Sequence, residues 1–135
     1  MMSWCHGTPG IGMARSAMSD TSTTDKKLEE IKDAAIATNS FGLGGGDNLC
    51  CGNFGRIDAL LSMGQSTGIN TYIDQAITLA EQTSLQSEKL GGFALLPGIP
   101  RHVTCPGFFD GLSGIGYVYL RLFNPDKFPS VLTWS

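Results

Sequence analysis

Apolar residues recur every three or four positions between Thr24 and Asn39, which is the spacing of an amphipathic helix. Leu28, Ile31 and Ala35 form the apolar stripe, and charged residues occupy many of the positions between them. The hydroxyl of Thr24 is expected to cap the start of this helix by accepting a hydrogen bond from an unpaired N–H of the first turn. The pattern therefore predicts a helix with one buried face over residues 24–39.

The same periodicity continues over a second stretch, from Ile69 to Leu90. Its apolar stripe consists of Tyr72, Ile73, Ala76, Ile77 and Ala80. A second amphipathic helix is therefore predicted over residues 69–90.

Three further helices are predicted after glycine-rich turns that repeat one pattern, G-x-x-G. These turns lie at 7–10, 52–55 and 111–114, and they lead into the segments IGMARSAM, RIDALLSM and IGYVYLRLF. A repeat on the order of 50 residues is the scale of a helix pair. The predicted fold is all-α, with inner and outer helices in alternation and two and a half helix pairs. Ordinary helix caps and loops are the alternative explanation of the turns.

Composition narrows the class of protein. The chain has 135 residues, of which 41% are hydrophobic, enough for one small domain with a packed core. With 16% charged residues and a net charge of -3, the chain does not resemble the basic footprint of a nucleic-acid-binding protein. No apolar run approaches the roughly 20 residues that span a bilayer. Residues 1–5 have neither the basic nor the apolar region of a secretory signal, so we expect a cytoplasmic protein with reduced thiols.

Three of the four cysteines precede a G-x-x-G turn. Cys5 lies two residues before the first turn, and Cys50 and Cys51 directly precede the second. Equivalent turns of a helical array would bring these thiols to one place, where a thiolate cluster suits zinc. The adjacent pair can bind one metal only if the backbone is irregular there, and the glycines at 44–46 and 52 allow that.

The residues alone leave several interpretations of the cysteines open. Three ligands would leave one zinc position vacant, as in catalytic sites, whereas Cys105 is a candidate fourth ligand that would close the site. Cys105 lies six residues before Gly111, outside the register of the other three. One alternative is that the cysteines are buried free thiols that act as small hydrophobic residues. Another is a redox pair at Cys50 and Cys51, although the sequence has no C-x-x-C motif. A disulfide is disfavoured because thiols stay reduced in the cytoplasm and because a bond between adjacent cysteines would be strained.

Two segments around these cysteines resemble motifs of the LanC-like lanthionine cyclases. Residues 4–10, WCHGTPG, are similar to the W-C-x-G-x-P-G motif of that family. Residues 50–52, CCG, resemble its second zinc motif in the form found in the class II lanthipeptide synthetases, the LanM enzymes. The ending, PGFFDGLSGIGYVYLRL and then FPSVLTW, looks like the last helix and tail of the same enzymes. The resemblance runs from Ser3 to Trp134.

The resemblance implies a fold, a metal and a reaction. The fold is an α/α toroid, a double ring of inner and outer helices, of which this chain would form a part. One zinc ion (Zn2+) would be held by Cys5, Cys50 and Cys51, and the open position would receive a substrate thiol. The substrate is a precursor peptide with dehydrated Ser or Thr residues. Its cysteine adds to dehydroalanine or dehydrobutyrine and forms lanthionine or methyllanthionine.

This addition also needs a proton donor. His6, beside Cys5, is the candidate general acid within a motif. The alternative is that its side chain only hydrogen-bonds the loop. His102 lies outside the motifs and is expected at the surface.

The resemblance further implies that residues 1–135 are the C-terminal part of a cyclase domain. The family ring contains more helix pairs than these, and the LanM dehydratase domain has no counterpart here. Two functions stay open. The chain is either the zinc-bearing part of a cyclase, active with a complementing fragment, or a non-catalytic zinc- or thiol-binding remnant of the family.

Overall fold

The computed structural model describes residues 2–18 and 25–133, and these residues form five α-helices joined by turns and loops. The helices are α1 Thr8–Ala17, α2 Asp25–Phe41, α3 Asn53–Thr67, α4 Asn70–Leu90 and α5 Leu112–Phe123. The predicted all-α class is confirmed. The predicted cap Thr24 and the motif residue Trp134 lie outside the described residues.

Helix α3 lies at the centre of the fold and packs against each of the other four helices. All of its residues from Asn53 to Gly64 are buried, as expected for a helix that is covered on every side. Helices α1 and α5 also pack against α3, whereas α2 packs on α1 and α3, and α4 packs on α3. These contacts agree with the predicted alternation of inner helices α1, α3 and α5 with outer helices α2 and α4.

Each G-x-x-G motif contains the first turn of a helix. We predicted that the helices follow the motif, and this is wrong: each helix begins one residue after the first glycine, which is the N-cap. The second glycine, at the fourth position of the motif, lies in the first helical turn, against a backbone carbonyl of the preceding loop. A Cβ would overlap that oxygen in each case: Gly10 against Trp4, Gly55 against Leu49, and Gly114 against Phe108. The repeated motif therefore encodes a close contact between helix and loop.

The amphipathic helices agree with the predicted spans to within two residues at each described end. The buried face of α4 follows Tyr72, Ala76, Leu79, Ala80, Thr83 and Ser87. Ile77 lies beside this stripe and is exposed, contrary to the predicted pattern. No helix among the described residues is long and apolar enough to cross a membrane.

The segment after α5 returns across the start of the chain. The indole Nε1 of Trp4 donates a hydrogen bond to the carbonyl of Leu132 at 3.2 Å. Ser130 Oγ donates to the buried carboxylate of Asp58 at 2.7 Å, and Arg121 forms an ion pair with the same carboxylate. The C-terminal segment is therefore attached both to α3 and to the loop before α1.

Candidate metal centre

Three cysteine sulfurs converge at the N-terminal ends of α1 and α3. The Sγ of Cys5 lies 3.1 Å from the Sγ of Cys51, which lies 3.5 Å from the Sγ of Cys50. All three sulfurs lie within 4.8 Å of one another. Cys5 belongs to the loop before α1 and the pair to the loop before α3, so the packing of α1 on α3 brings them together. These are the three cysteines that the sequence predicts as ligands.

The loop that carries Cys5 is held by its neighbours. The ring of Trp4 stacks on Phe109, with 6.0 Å between ring centroids and an interplanar angle of 15°. Ser3 Oγ donates a hydrogen bond to the carbonyl of His6 at 3.0 Å and lies 3.8 Å from the Sγ of Cys5. The loop is therefore closed on itself and packed against the segment that precedes α5.

The adjacent cysteines are supported by two distant segments. The N–H of Cys51 donates to Asn48 Oδ1 at 2.8 Å, and Asn48 Nδ2 donates to the carbonyl of Leu95 at 2.6 Å. The N–H of Cys50 donates to the carbonyl of Phe109 at 3.0 Å. Because both amides bond outside any helix or strand, the backbone is irregular at the pair, as its use as a double ligand requires.

Two of the glycines around the pair act in different ways. Gly45 has a φ of 70°, in the left-handed region that glycine adopts without strain. Gly52 has an extended backbone, but a Cβ there would overlap the backbone of Asn48. The first glycine lets the chain turn, and the second lets the cysteine loop lie against itself.

The buried carboxylate of Asp47 links the cysteine loop to neighbouring segments. Asp47 Oδ1 accepts a hydrogen bond from Asn53 Nδ2 at 2.6 Å, and its Oδ2 accepts one from the N–H of Ala94 at 2.7 Å. Arg101 Nη1 lies 3.5 Å from the same Oδ2. Hydrogen bonds of this kind are strengthened by burial, so the loop is tied firmly to α3 and to the segment after α4.

The pKa values of the three thiols are driven apart by their interaction. Burial raises the pKa of the Cys50 thiol to about 12, and the hydrogen bonds and charges of the other two cysteines add to the rise. The hydrogen bond to Cys5, together with burial and the nearby carboxylate of Asp110, raises the pKa of Cys51. Burial also opposes ionisation of Cys5, but hydrogen bonds to Cys51 and Ser3 outweigh it and lower the pKa of Cys5. These directions favour a negative charge on Cys5 over the other two thiols.

The spacing of the sulfurs fits a tetrahedral metal ion. Zinc binds cysteine sulfur at about 2.3 Å, so two sulfurs on one tetrahedral zinc lie about 3.8 Å apart. The two separations of 3.1 and 3.5 Å are somewhat shorter than that value, and no two of the three sulfurs lie more than 4.8 Å apart. The cluster can hold a metal, and three protein ligands would leave one tetrahedral position for a further sulfur.

The other candidates lie outside the cluster. Cys105 packs against the hydrophobic core and is not one of the converging sulfurs. His6 is exposed, and it bonds Ser3 through its backbone N–H and carbonyl. His102 is exposed, as expected. All four cysteines are free thiols.

Sequence reasoning missed the contribution of the third turn. Phe109 and Asp110 precede the third G-x-x-G turn in the same register in which Cys50 and Cys51 precede the second. This register was the available signal, but neither residue type pointed to a thiolate site. Arg56, which bonds to the loops before both ligand-bearing turns, was also missed because its partners in those loops are backbone carbonyls.

The comparison with known families agrees with this geometry. Residues 1–133 match the family described as lanthionine synthetase C-like protein. The match includes all three G-x-x-G turns and all four cysteines. The family forms thioether rings in modified peptides and generally binds zinc. The all-helical fold, the repeated turns and the cysteine cluster are consistent with that match, and this chain belongs to the lanthionine synthetase C-like family.

Proposed function

We propose that this protein forms lanthionine or methyllanthionine in a precursor peptide, with zinc held by Cys5, Cys50 and Cys51. The observation that carries the proposal is the convergence of three thiol sulfurs from two loops, at 3.1 and 3.5 Å. Zinc bound there would keep a coordinating substrate thiol deprotonated at neutral pH. We place the reaction in the cytoplasm, where the thiols of such a site stay reduced.

In the proposed reaction, the sulfur of a peptide cysteine forms a bond to the Cβ of dehydroalanine or dehydrobutyrine. The thiol loses its proton, the carbon–carbon double bond becomes a single bond, and the Cα gains a proton. The product is an isomer of the substrate, so no oxidant or reductant is consumed. The stacked rings of Trp4 and Phe109 offer an apolar surface beside the cluster for the peptide.

His6 is the proposed proton donor to the Cα. Its exposed side chain follows Cys5 directly, while Ser3 fixes its backbone. An imidazole suits this role because its usual pKa lies near neutral pH. His6→Ala should slow thioether formation by roughly 100-fold or more while zinc stays bound. An unchanged rate in the zinc-loaded variant would leave His6 with no part in the proton transfer.

The CCG form of the second motif supports a class II, LanM-type assignment within this proposal. A set of three thiolates carries one more negative charge than two thiolates with a neutral imidazole. The additional charge makes a further sulfur at the open position more electron-rich and a better nucleophile. Cys51→His should therefore retain zinc and add the thiol more slowly, as measured by single-turnover kinetics.

We further propose that residues 1–135 work as the C-terminal part of a cyclase domain whose ring is completed by other helices. Large apolar side chains face solvent on α1, α2 and α5, including Ile11, Ile36 and Phe123, which is 86% exposed. Exposed apolar surface of this kind favours association with further protein. A complementing cyclase fragment is the partner we propose.

The experiment uses a peptide with one dehydrobutyrine and one cysteine. The zinc-loaded protein is incubated with it, alone and with the upstream helices of a related cyclase, and loss of the alkylatable thiol is followed by mass spectrometry. We expect a crosslink with wild type and with Cys105→Ala, and none with Cys50→Ala. A completed ring that binds zinc but forms no thioether would favour the non-catalytic alternative.

A further inference from the structure

We infer that Arg56 is a positioning residue for the cysteine cluster, and that its guanidinium fixes the loop of Cys5 relative to the loop of Cys50 and Cys51. The inference deepens the proposed function, because it concerns the assembly of the proposed zinc site. It assigns Arg56 no contact with the substrate or with the metal.

The hydrogen bonds of Arg56 go to both ligand-bearing segments. Its Nη1 donates to the carbonyl of Met2 at 2.9 Å, just before Cys5 along the chain. Its Nη2 donates to the carbonyl of Gly44 at 2.6 Å, at the start of the loop that leads to Cys50. One rigid planar group therefore bridges two segments that are far apart in the sequence.

Further contacts fix the orientation of this guanidinium. Its carbon lies 4.7 Å from the ring centroid of Phe41, at the end of α2. Nη2 also donates to Asn53 Oδ1, which in turn accepts a hydrogen bond from the N–H of Gly44 at 3.3 Å. The bridge is thus part of the same network that fastens the cysteine loop through Asp47.

Arg56 is a costly residue to bury if it only supports the fold. Only 2% of its surface is exposed, its Nε has no hydrogen-bond partner, and it forms no ion pair within the described residues. Arg121 is equally buried but pairs directly with Asp58. A buried cation with no acid in direct contact is expensive, and the charge of Asp47 offsets only part of the burial that lowers the pKa of Arg56. The geometry that Arg56 imposes on the two loops gives a reason for this cost.

Lysine cannot replace this function. An ammonium is a single point donor on a flexible stem, whereas the guanidinium presents separate donors in a fixed plane. Arg56→Lys would therefore keep the charge and lose the fixed spacing between the two carbonyls. Arg56→Gln would lose both, without leaving an unpaired charge in the interior.

The test compares zinc affinity and the rise in melting temperature on zinc addition across four proteins: wild type, Arg56→Lys, Arg56→Gln and Arg121→Lys. Zinc affinity is measured by competition with a chromophoric chelator. A Co(II) derivative reports thiolate coordination through its charge-transfer absorption. We expect both Arg56 variants to bind zinc about 10-fold or more weakly and to gain less thermal stability from it.

Arg121→Lys is the matched control, because it alters a buried arginine away from the cysteines. It should melt earlier with and without zinc, with wild-type zinc affinity. Wild-type affinity in either folded Arg56 variant would overturn the inference, as would a requirement of Arg56 for folding itself, in which neither variant folds. If wild type bound no zinc, the proposed function would fail as well, and this separates the two failures.

Discussion

The Sγ atoms of Cys5 and Cys51 lie 3.1 Å apart, although one precedes α1 and the other precedes α3. Two thiolates at that distance repel each other by about 1.3 kcal/mol even in a water-like dielectric, and by more where burial lowers it. This repulsion favours states of the metal-free cluster in which some thiols keep their protons, in agreement with the lowered pKa of Cys5 and the raised pKa of Cys51. A cation between the sulfurs would remove that repulsion.

Zinc stoichiometry is the most direct test of the three-cysteine site. The purified protein should bind one zinc per chain, and Cys5→Ala, Cys50→Ala and Cys51→Ala should each lower zinc affinity by a large factor, because only two thiolates would remain. Cys105→Ala is the control and should keep wild-type stoichiometry, since Cys105 packs against the core. Metal analysis with chelator competition measures both. Equal loss of zinc in the Cys105 variant would contradict the three-sulfur site.

The stability of the metal-free protein should depend on pH through Cys50. Its pKa rises from 9.0 to about 12 in the folded state, chiefly by burial and then by its cysteine neighbours. Because the pKa is higher in the folded state, the contribution of this thiol to the free energy of unfolding is fully present below pH 9.0. That contribution is lost as the pH rises towards 12. The free energy of unfolding should therefore fall above pH 9.0.

Urea denaturation across this pH range tests that expectation. Cys50→Ser removes the ionisable thiol at the same position, so its unfolding free energy should fall less steeply with pH. Tyrosine and lysine residues also titrate in this pH range, but they are common to both proteins. Their effect therefore cancels in the difference between wild type and Cys50→Ser. Parallel curves for wild type and Cys50→Ser would show that Cys50 contributes nothing to the pH dependence.

Helix α5 contains a matched pair of glycines for testing the repeated motif. A Cβ at Gly114 would overlap the carbonyl of Phe108 and lie 3.1 Å from the Cβ of Leu49, whereas a Cβ at Gly116 meets nothing within 4 Å. Gly114→Ala should destabilise the fold by about 1–3 kcal/mol or more. Gly116→Ala should be neutral, or stabilising by up to about 1 kcal/mol. Thermal and urea unfolding measure both, and similar effects at the two positions would refute the close-contact explanation.

The buried ion pair of Arg121 and Asp58 should be a major determinant of stability. Asp58→Asn keeps the shape but leaves the cation unpaired in the interior, which should cost about 3–5 kcal/mol. Ser130→Ala removes the hydrogen bond of the C-terminal segment to Asp58 and also the acceptor of the Leu132 N–H, at a cost of about 1–2 kcal/mol. The two variants are compared by urea denaturation. Equal costs would mean that the hydrogen bond, and not the charge pair, dominates.

Much of the local structure could be predicted from the sequence. The period of apolar residues located α2 and α4 because side-chain periodicity is a local property of a helix, and one buried face suffices to produce it. The repeated G-x-x-G motif marked the starts of α1, α3 and α5 for a related reason, although the helices begin inside the motif. The exposure of Ile77 was not predictable, because it depends on which helix covers which part of α4.

The sequence by itself determined the helical class, the repeated turns, and the three cysteines placed beside those turns. Each of these is a local pattern of residue types, so it is visible without knowledge of long-range contacts. Only the tertiary structure decided that Cys5 and Cys51 meet, that Cys105 packs against the core, and that Arg56 bridges two loops. These relationships join segments that are far apart along the chain, and the meeting of Cys5 with Cys51 depends on the packing of α1 against α3.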